Sequence, residues 1–330
     1  MPLLVNIRSY FTPTAIAQQL EHLPPLKTTV MDTVFTTRLR HELPIVGVDE
    51  IFAVTKVLPV VRRGAAGTPL FSDNLNISYI EPMPIKISTT LGGVELNNLK
   101  LLTKVRMEEW ARRKMDEIRR ATRRTTEVLS AQAIRGKISH AMKTDGGGTA
   151  VYQVDYGSPC FFTPGVKWDD GEAKAKDIYE TLLGMRKLIH DGGWAGTAKI
   201  WAGTKAYLAL LNLLDTATPA DKIGLRLADS GGIMVGGEFK IELFDDSFIN
   251  PASGQAENIV DTDQVVMIIL DAGHRLFYAA LDDLDSNLQP LPLFIKPSRS
   301  EDGTIKLFSE SKPLPAPNIK AICWATVTTS

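Results

Sequence analysis

Residues 98–135 contain neither glycine nor proline, in a chain of 330 residues that holds 25 glycines and 19 prolines. An unbroken stretch of that length exceeds the roughly 8–20 residues of an ordinary globular helix. Met107, Ala111, Met115, Ile118, Thr122, Thr125 and Leu129 recur at steps of three and four and predict one narrow apolar stripe. The remaining faces carry Glu108, Glu109, Arg112, Arg113, Asp116, Glu117, Arg119, Arg120, Arg123 and Arg124, with Asp116 placed four residues before Arg120 as a helical ion pair requires. Gly136 follows directly and is expected to stop the helix in a left-handed conformation. A helix with so thin a stripe is not buried on every side. It is expected to lie as a spine across a sheet.

The flanking segments read as parts that lack a core of their own. Thr12 and Pro13 open a short helix whose stripe is Ile16, Ala17 and Leu20, and Pro24-Pro25 ends it, leaving the chain extended toward Phe35. Residues 51–61 are rich in β-branched side chains and lead into Arg62-Arg63-Gly64-Ala65-Ala66-Gly67; residues 76–88 form the return strand, with Ile77, Tyr79, Ile85 and Ile87 on one face. Pro82 and Pro84 place that strand at an edge. A two-stranded hairpin is marginal alone in water, so a neighbouring subunit is the economical support.

Beyond the long helix, residues 138–142 and 151–156 flank Thr144-Asp145-Gly146-Gly147-Gly148 as a hairpin. A helix over 173–190 presents Ile178, Leu182, Met185 and Ile189, and is followed by a strand at 198–202, a helix at 204–214 and strands at 239–244 and 265–270. This alternation predicts a compact α/β core. A last strand at 320–327 must pair with something already built.

Bulk properties narrow the function. With 44 % hydrophobic and 23 % charged residues the chain is globular rather than disordered, and a net charge of -1 supplies no global pull toward nucleic acid or an anionic membrane. The apolar run 265–270 is far too short to span a bilayer, and residues 1–25 lack the pattern of a signal peptide. Two cysteines, Cys160 and Cys323, are too few for a disulfide framework or a zinc site and are expected to be reduced and buried.

No catalytic signature stands in the sequence, and no cofactor or metal is expected. Gly231-Gly232-Ile233-Met234-Val235-Gly236-Gly237 lacks the following helix start of a phosphate cradle and reads as a turn or loop. The five histidines lie far apart, and His190 sits near a helix C-terminus where histidine is favoured. Asp282, Asp283 and Asp285 lack the glycine and terminal glutamate of a calcium loop and read as a solvated turn. Arg112, Arg119, Arg120 and Arg123 form a solvated or ion-paired helix face, with weak sequence-independent contact to DNA as the functional alternative.

The order of these elements resembles the lambda-like major capsid proteins of tailed bacteriophages, the major capsid protein E family. The resemblance covers residues 12–327. It rests on the proline-ended arm, the Gly64-Ala65-Ala66-Gly67-Thr68 tip, Ile134-Arg135-Gly136-Lys137, Val154-Asp155-Tyr156-Gly157, and Trp168-Asp169 ahead of Asp177-Ile178. Gly236-Gly237-Glu238-Phe239 and Ser311-Lys312-Pro313-Leu314-Pro315 complete it. It implies an α+β Hong Kong phage-type capsid fold with an N-terminal arm (1–47), an extended β-hairpin loop (48–92), and a peripheral domain with the spine helix (93–171). An axial α/β domain (172–283) and a return to the peripheral domain (284–330) follow. It also implies a structural, non-enzymatic subunit that assembles with itself into pentamers and hexamers of an icosahedral shell around double-stranded DNA. Scaffolding, portal and decoration proteins are the implied partners, and the host cytoplasm is the place of assembly. Ile16, Leu20, Arg62, Arg63, Gly64, Gly67, Phe71 and Tyr79 are the candidate inter-subunit contacts. The competing readings are another phage assembly component such as a tail or head-completion protein, a soluble α/β enzyme using His190 or His274, and a DNA-binding module.

Overall fold

A computed structural model describes residues 9–10, 12, 14–16, 18, 23, 26–48, 79–91, 98, 104–144, 146–216, 224–229, 231–251, 253–299 and 305–329. Among them the chain divides into two compact units. One draws on residues up to 46, 79–130 and 275–315, and the other on 131–274 and 316–329.

In the first unit the long helix runs unbroken over Lys104–Ile134. Its stripe of Met107, Ala111, Met115 and Ile118 is buried and clusters with Ile295 and Leu307. Those two side chains belong to a three-stranded antiparallel sheet ordered Phe294–Arg299, Ile305–Ser311, Ile85–Leu91. The helix therefore does lie across a sheet. Asp116 takes both Arg120 at 2.6 Å and Arg119 at 2.8 Å.

Two details depart from the sequence reading. Thr125 is half-exposed and Thr126 faces inward instead. From Thr126 to Ile134 every side chain except Gln132 is buried, so the stripe widens to the whole circumference. That stretch is almost free of charge, and the hydroxyls of Thr126 and Ser130 donate back to the carbonyls of Thr122 and Thr126 at 2.9 and 2.8 Å, which hides their polarity.

Only part of the return strand of the expected hairpin lies among the described residues. Residues 51–61 lie outside the described residues. Residues 81–84, with Pro82 and Pro84, belong to no strand, and Ile85–Leu91 pairs with Ile305–Ser311 of the same chain, Ile87 opposite Ser309. Proline cannot donate to a ladder, so the strand begins only after Pro84. Its odd-numbered residues turn inward and its even-numbered ones outward, as the alternation predicts.

In the second unit the helix ends as expected. Gly136 adopts φ 95°, its carbonyl accepts the Tyr156 N–H at 2.8 Å, and the Trp324 indole donates to the Ile134 carbonyl at 3.3 Å. Arg135 lies over the Trp324 ring and its guanidinium donates to the Ile259 carbonyl at 2.9 Å and to Asp261 at 3.0 Å. These contacts satisfy a helix terminus that would otherwise leave carbonyls orphaned. Lys137–Lys143 and Thr149–Asp155 form the predicted hairpin.

A seven-stranded mixed sheet follows the order Cys160–Phe162, Ile322–Thr326, Gln264–Ile269, Ala198–Ala202, Phe239–Leu243, Ile233–Val235, Leu225–Leu227. Helix Ala175–Asp191 buries Ile178, Leu182, Met185 and Ile189 in one cluster with Ile200, Ile241, Val265 and Met267. The glycine-rich segment is not a plain loop. Ile233–Val235 is a strand, and Gly236-Gly237 turns it antiparallel onto Phe239–Leu243. The terminal strand fills the slot between Gln264–Ile269 and Cys160–Phe162. Cys160 and Cys323 are free and stand opposite each other in this parallel pair. Cys160 is only half-buried, against expectation. Burial, with Cys160 beside it, pushes the Cys323 thiol up to about 12, so it stays protonated at neutral pH.

His274 is buried in this unit with both ring nitrogens engaged. Nδ1 accepts the Asn318 backbone N–H at 3.1 Å, which leaves Nε2 as the donor to the Ile269 carbonyl at 3.0 Å. Burial lowers its pKa from 6.5 to about 4. The folded state therefore binds fewer protons than the unfolded state between those values. Stability is full above about pH 6.5 and falls as pH drops toward about 4, by about 3 kcal/mol in all. Urea melts at pH 7 and pH 4.5 are expected to show this loss, with a clearly shallower pH dependence in His274→Gln. Equal slopes in the two proteins would remove His274 as the cause.

Candidate assembly surfaces

The first candidate surface is built where the N-terminal segment meets the spine helix. Sequence alone leaves residues 26–35 extended, whereas Thr29–Thr33 is a helical turn. Its first free N–H groups explain why. The Glu127 carboxylate accepts Val30 N–H at 2.6 Å and Met31 N–H at 2.8 Å, supplying partners that the short helix cannot supply itself. Val30, Met31, Val34 and Phe35 are buried as a result. Asp32 accepts from Thr28 N–H at 2.8 Å and pairs with Arg38 and Arg123, each at 2.5 Å. Burial works against the Asp32 carboxylate, but the Thr28 N–H and the Arg123 guanidinium hold its pKa below the ordinary value.

Beside this latch the strand Thr37–His41 pairs in parallel with Arg275–Ala279 and forms the outer strand of its sheet. Between that strand and the spine helix lies an open groove of about 450 Å³. Leu39, Tyr278 and Leu293 give it an apolar lining, and Arg38, Arg40, Arg119 and Arg123 line it with cations. Among the described residues the Thr122 hydroxyl and the Arg123 Nε at its wall have no hydrogen-bond partner.

Of the sequence-predicted contacts, Ile16 and Tyr79 lie among the described residues. Ile16 is buried in its own chain's cluster with Met107 and Trp110, so its apolar surface is already covered within the subunit. Thr12 caps that segment as predicted, accepting the Ala15 N–H at 3.2 Å. Tyr79 is 59 % exposed. Leu20, Arg62, Arg63, Gly64, Gly67 and Phe71 lie outside the described residues. Of the candidate DNA contacts, Arg112 and Arg120 are exposed, while Arg119 and Arg123 are half-buried and tied to Asp116 and Asp32.

Several exposed apolar side chains were not legible as surface features. Phe161 and Leu227, 56 % and 63 % exposed, sit on the two outer strands of the seven-stranded sheet. Ile249, 70 % exposed, projects from the small hairpin of Ser247–Ile249 and Ala256–Asn258. The acidic segment 282–285 is less a solvated turn than a clamped one. Lys296 bridges Asp283 at 2.5 Å and Asp285 at 2.7 Å, Lys312 pairs with Asp282, and Asp283 accepts the Asp285 N–H at 2.9 Å. Asn287 and Leu288 both take left-handed φ values of 55° and 56°, a conformation costing a leucine roughly 1–2 kcal/mol. The turn holds Leu284 84 % exposed at its tip.

The enzyme alternative finds little here. His274 has both nitrogens committed, and His190 is exposed at its helix end. Among the described residues no three metal-ligating side chains stand together, and no helix is long and apolar enough to cross a membrane.

The whole-chain comparisons then set the context for these surfaces. No curated protein matches the sequence. A solved structure of a prophage protein of E. coli CFT073, assigned as a capsid protein, superposes with a TM-score of 0.62 at 13 % identity, covering 96 % of this chain and 98 % of that one. A phage-related protein of Bordetella bronchiseptica RB50 superposes with a TM-score of 0.52 at 9 % identity, covering 96 % of each chain. Both share the fold. The family of phage major capsid protein E matches residues 12–327, nearly the entire sequence. That family points to a structural rather than an enzymatic role, to self-association, and to a place in the virion shell. This chain therefore belongs to the phage major capsid protein E family and is a structural subunit of an icosahedral capsid.

Proposed function

We propose that copies of this chain close into pentamers and hexamers that together enclose double-stranded DNA. The observation that carries this reading is the two outer strands of the seven-stranded sheet, each paired on one side only among the described residues and bearing exposed Phe161 and Leu227. An apolar strand edge left open to water invites association, and a shell subunit has neighbours to cover it. In this reading residues 1–47 act as an arm, 48–92 as a loop overlapping the next subunit, 93–171 as the peripheral domain and 172–283 as the axial domain at the capsomer centre. Residues 284–330 lead back to the peripheral domain, the final strand Ile322–Thr326 pairing on one side with Cys160–Phe162 of that domain and on the other with Gln264–Ile269 of the axial domain. Leu20, Arg62, Arg63, Phe71 and Tyr79 are the contacts offered to neighbours. Arg112 and Arg120, with Arg119 and Arg123 behind their ion pairs, offer weak contact to phosphate, expected to fade steeply with salt. Scaffolding, portal and decoration proteins complete the particle, which assembles in the bacterial cytoplasm.

Electron microscopy of the purified protein beside size-exclusion chromatography tests the reading. Closed shells or five- and six-membered rings are expected; a stable, cooperatively melting monomer, or open tubes, would defeat it. The glycines at 64 and 67 allow one loop to bend differently in the two ring types. Gly64→Ala with Gly67→Ala is therefore expected to yield folded subunits and malformed shells, and normal particles from that double variant would discard the loop-tip role.

A further inference from the structure

We propose that the leucine-tipped acidic turn 282–288 of one subunit docks into the arginine-lined groove of a second copy, making a head-to-tail contact. This rests on the capsid-subunit reading above and assigns one of its interfaces.

The turn is built to present, not merely to connect. Lys296 and Lys312 clamp its aspartates, Ser286 Oγ donates to the Asp283 carbonyl at 2.6 Å, and two consecutive left-handed residues hold the backbone in a conformation that side chains disfavour. Strained, over-determined backbone of this kind concentrates at binding sites. Its product is Leu284 fully outside, with Asp282 and Asp285 side chains 60 % and 72 % exposed beside it. A single leucine flanked by carboxylates suits an apolar floor ringed by cations.

The groove has that chemistry. Leu39, Tyr278 and Leu293 offer apolar surface, and Arg38, Arg40, Arg119 and Arg123 offer charge, with no carboxylate among the described lining residues. Of the acids nearby, Asp32 and Asp116 are each shared between two arginines and Glu127 is bound to the Val30 and Met31 N–H groups, so the four lining arginines still leave positive charge over. Thr122 is buried with an unpartnered hydroxyl at the groove wall.

The contact has to join different copies. Ile295 packs with the spine helix, whereas Lys296, the next residue in the strand, points to the opposite face and holds the turn there. The groove is walled by the spine helix itself. Turn and groove therefore lie on opposite sides of the strand Phe294–Arg299 and cannot meet within one subunit. A surface that binds a different surface on an identical partner is heterologous, and such contacts form rings where the rotation between copies closes.

The test separates this pairing from shell formation in general. Leu284→Asp spoils the turn and leaves the groove; Leu39→Asp with Arg40→Glu spoils the groove and leaves the turn. All three positions are exposed, so melting temperatures should match the parent. Each variant alone is expected to lose shells at least about tenfold beside parent protein that forms them. Mixed together, the two variants retain one good turn and one good groove, and sedimentation is expected to show one-to-one dimers that grow no further. Shells at parental yield from either variant would overturn the pairing. So would a mixture that stays monomeric, because the two surfaces would then serve other partners. Failure of the parent to assemble at all would instead bring down the capsid-subunit reading, and the pairing with it.

Discussion

Glu127→Ala is expected to release residues 26–35 from the spine helix and to abolish shell formation while leaving the seven-stranded sheet intact. Glu127 is buried, and its carboxylate accepts two backbone N–H groups, from Val30 and Met31, at 2.6 and 2.8 Å. Hydrogen bonds to a charged group contribute roughly 1.5–3 kcal/mol each, and truncation leaves both donors without partners. The loss is therefore about 3–6 kcal/mol concentrated on one short segment. Detachment is the cheaper response, since it returns the donors to water at the expense of exposing Val30, Met31, Val34 and Phe35. Hydrogen exchange at Val30 and Met31 and tryptic cleavage at Lys27, Arg38 and Arg40 should both accelerate. Glu127→Gln, which keeps one acceptor oxygen, should fall between. Unchanged exchange protection at Val30 and Met31 in the alanine variant would refute the latch. That segment carries the groove's Met31 and leads directly into the strand that carries Arg38, Leu39 and Arg40, which is why assembly should fail with it.

Gly136→Ala is expected to be the most damaging single substitution in the second unit. An alanine at φ 95° carries the left-handed penalty of roughly 1–2 kcal/mol, and its Cβ would also drive into the Gly157 carbonyl oxygen with Pro159 Cδ 3.0 Å away. The backbone has no easy retreat. Gly136 accepts from Tyr156, whose ring is buried, and the preceding residues are pinned through Arg135 and Trp324. A cost above about 3 kcal/mol is a large share of the 5–15 kcal/mol that holds a typical domain folded. Gly147 supplies the comparison: φ is 79°, but a Cβ there meets nothing within 4 Å. Gly147→Ala should therefore cost only the conformational strain, roughly 1–2 kcal/mol. Denaturation midpoints of the two variants measure the difference directly. Equal losses would mean that the close approach at Gly157 carries no weight.

Both predictions turn on the spine helix, and its two ends were legible to different degrees. The glycine stop at 136 and the stripe from Met107 to Ile118 followed from local sequence, because a breaker and a 3.6-residue period act through neighbours along the chain. The burial of the whole stretch from Thr126 to Ile134 did not follow. A helix can be surrounded only by segments remote in sequence, and the hydroxyls that make Thr126 and Ser130 tolerable inside are paid for by carbonyls one turn back. The candidate surfaces divide in the same way. Leu284 sits in a run of aspartates that reads as a solvated turn. Its presentation depends on Lys296 and Lys312, which arrive from later strands and fix Asn287 and Leu288 where local preference would not put them. Ile16 shows the reverse: its apolar stripe predicts that it is covered, and Met107 and Trp110 of the same chain cover it.

By itself the sequence determined the long helix and its end, the hairpin at Gly146-Gly147, the amphipathic helix over Ala175–Asp191, most strands of the α/β core and, through the order of short motifs, the capsid family. Periodicity, capping and turn chemistry are short-range and survive any tertiary context. Only the tertiary structure decided that Ile85–Leu91 pairs with Ile305–Ser311, that the terminal strand enters the seven-stranded sheet, that residues 29–33 coil onto Glu127, and that an arginine-lined groove opens beside them. Each of these joins segments far apart in the chain. Strand partners and buried charge pairs are selected by what the rest of the fold leaves unsatisfied, a quantity that no local stretch of residues carries.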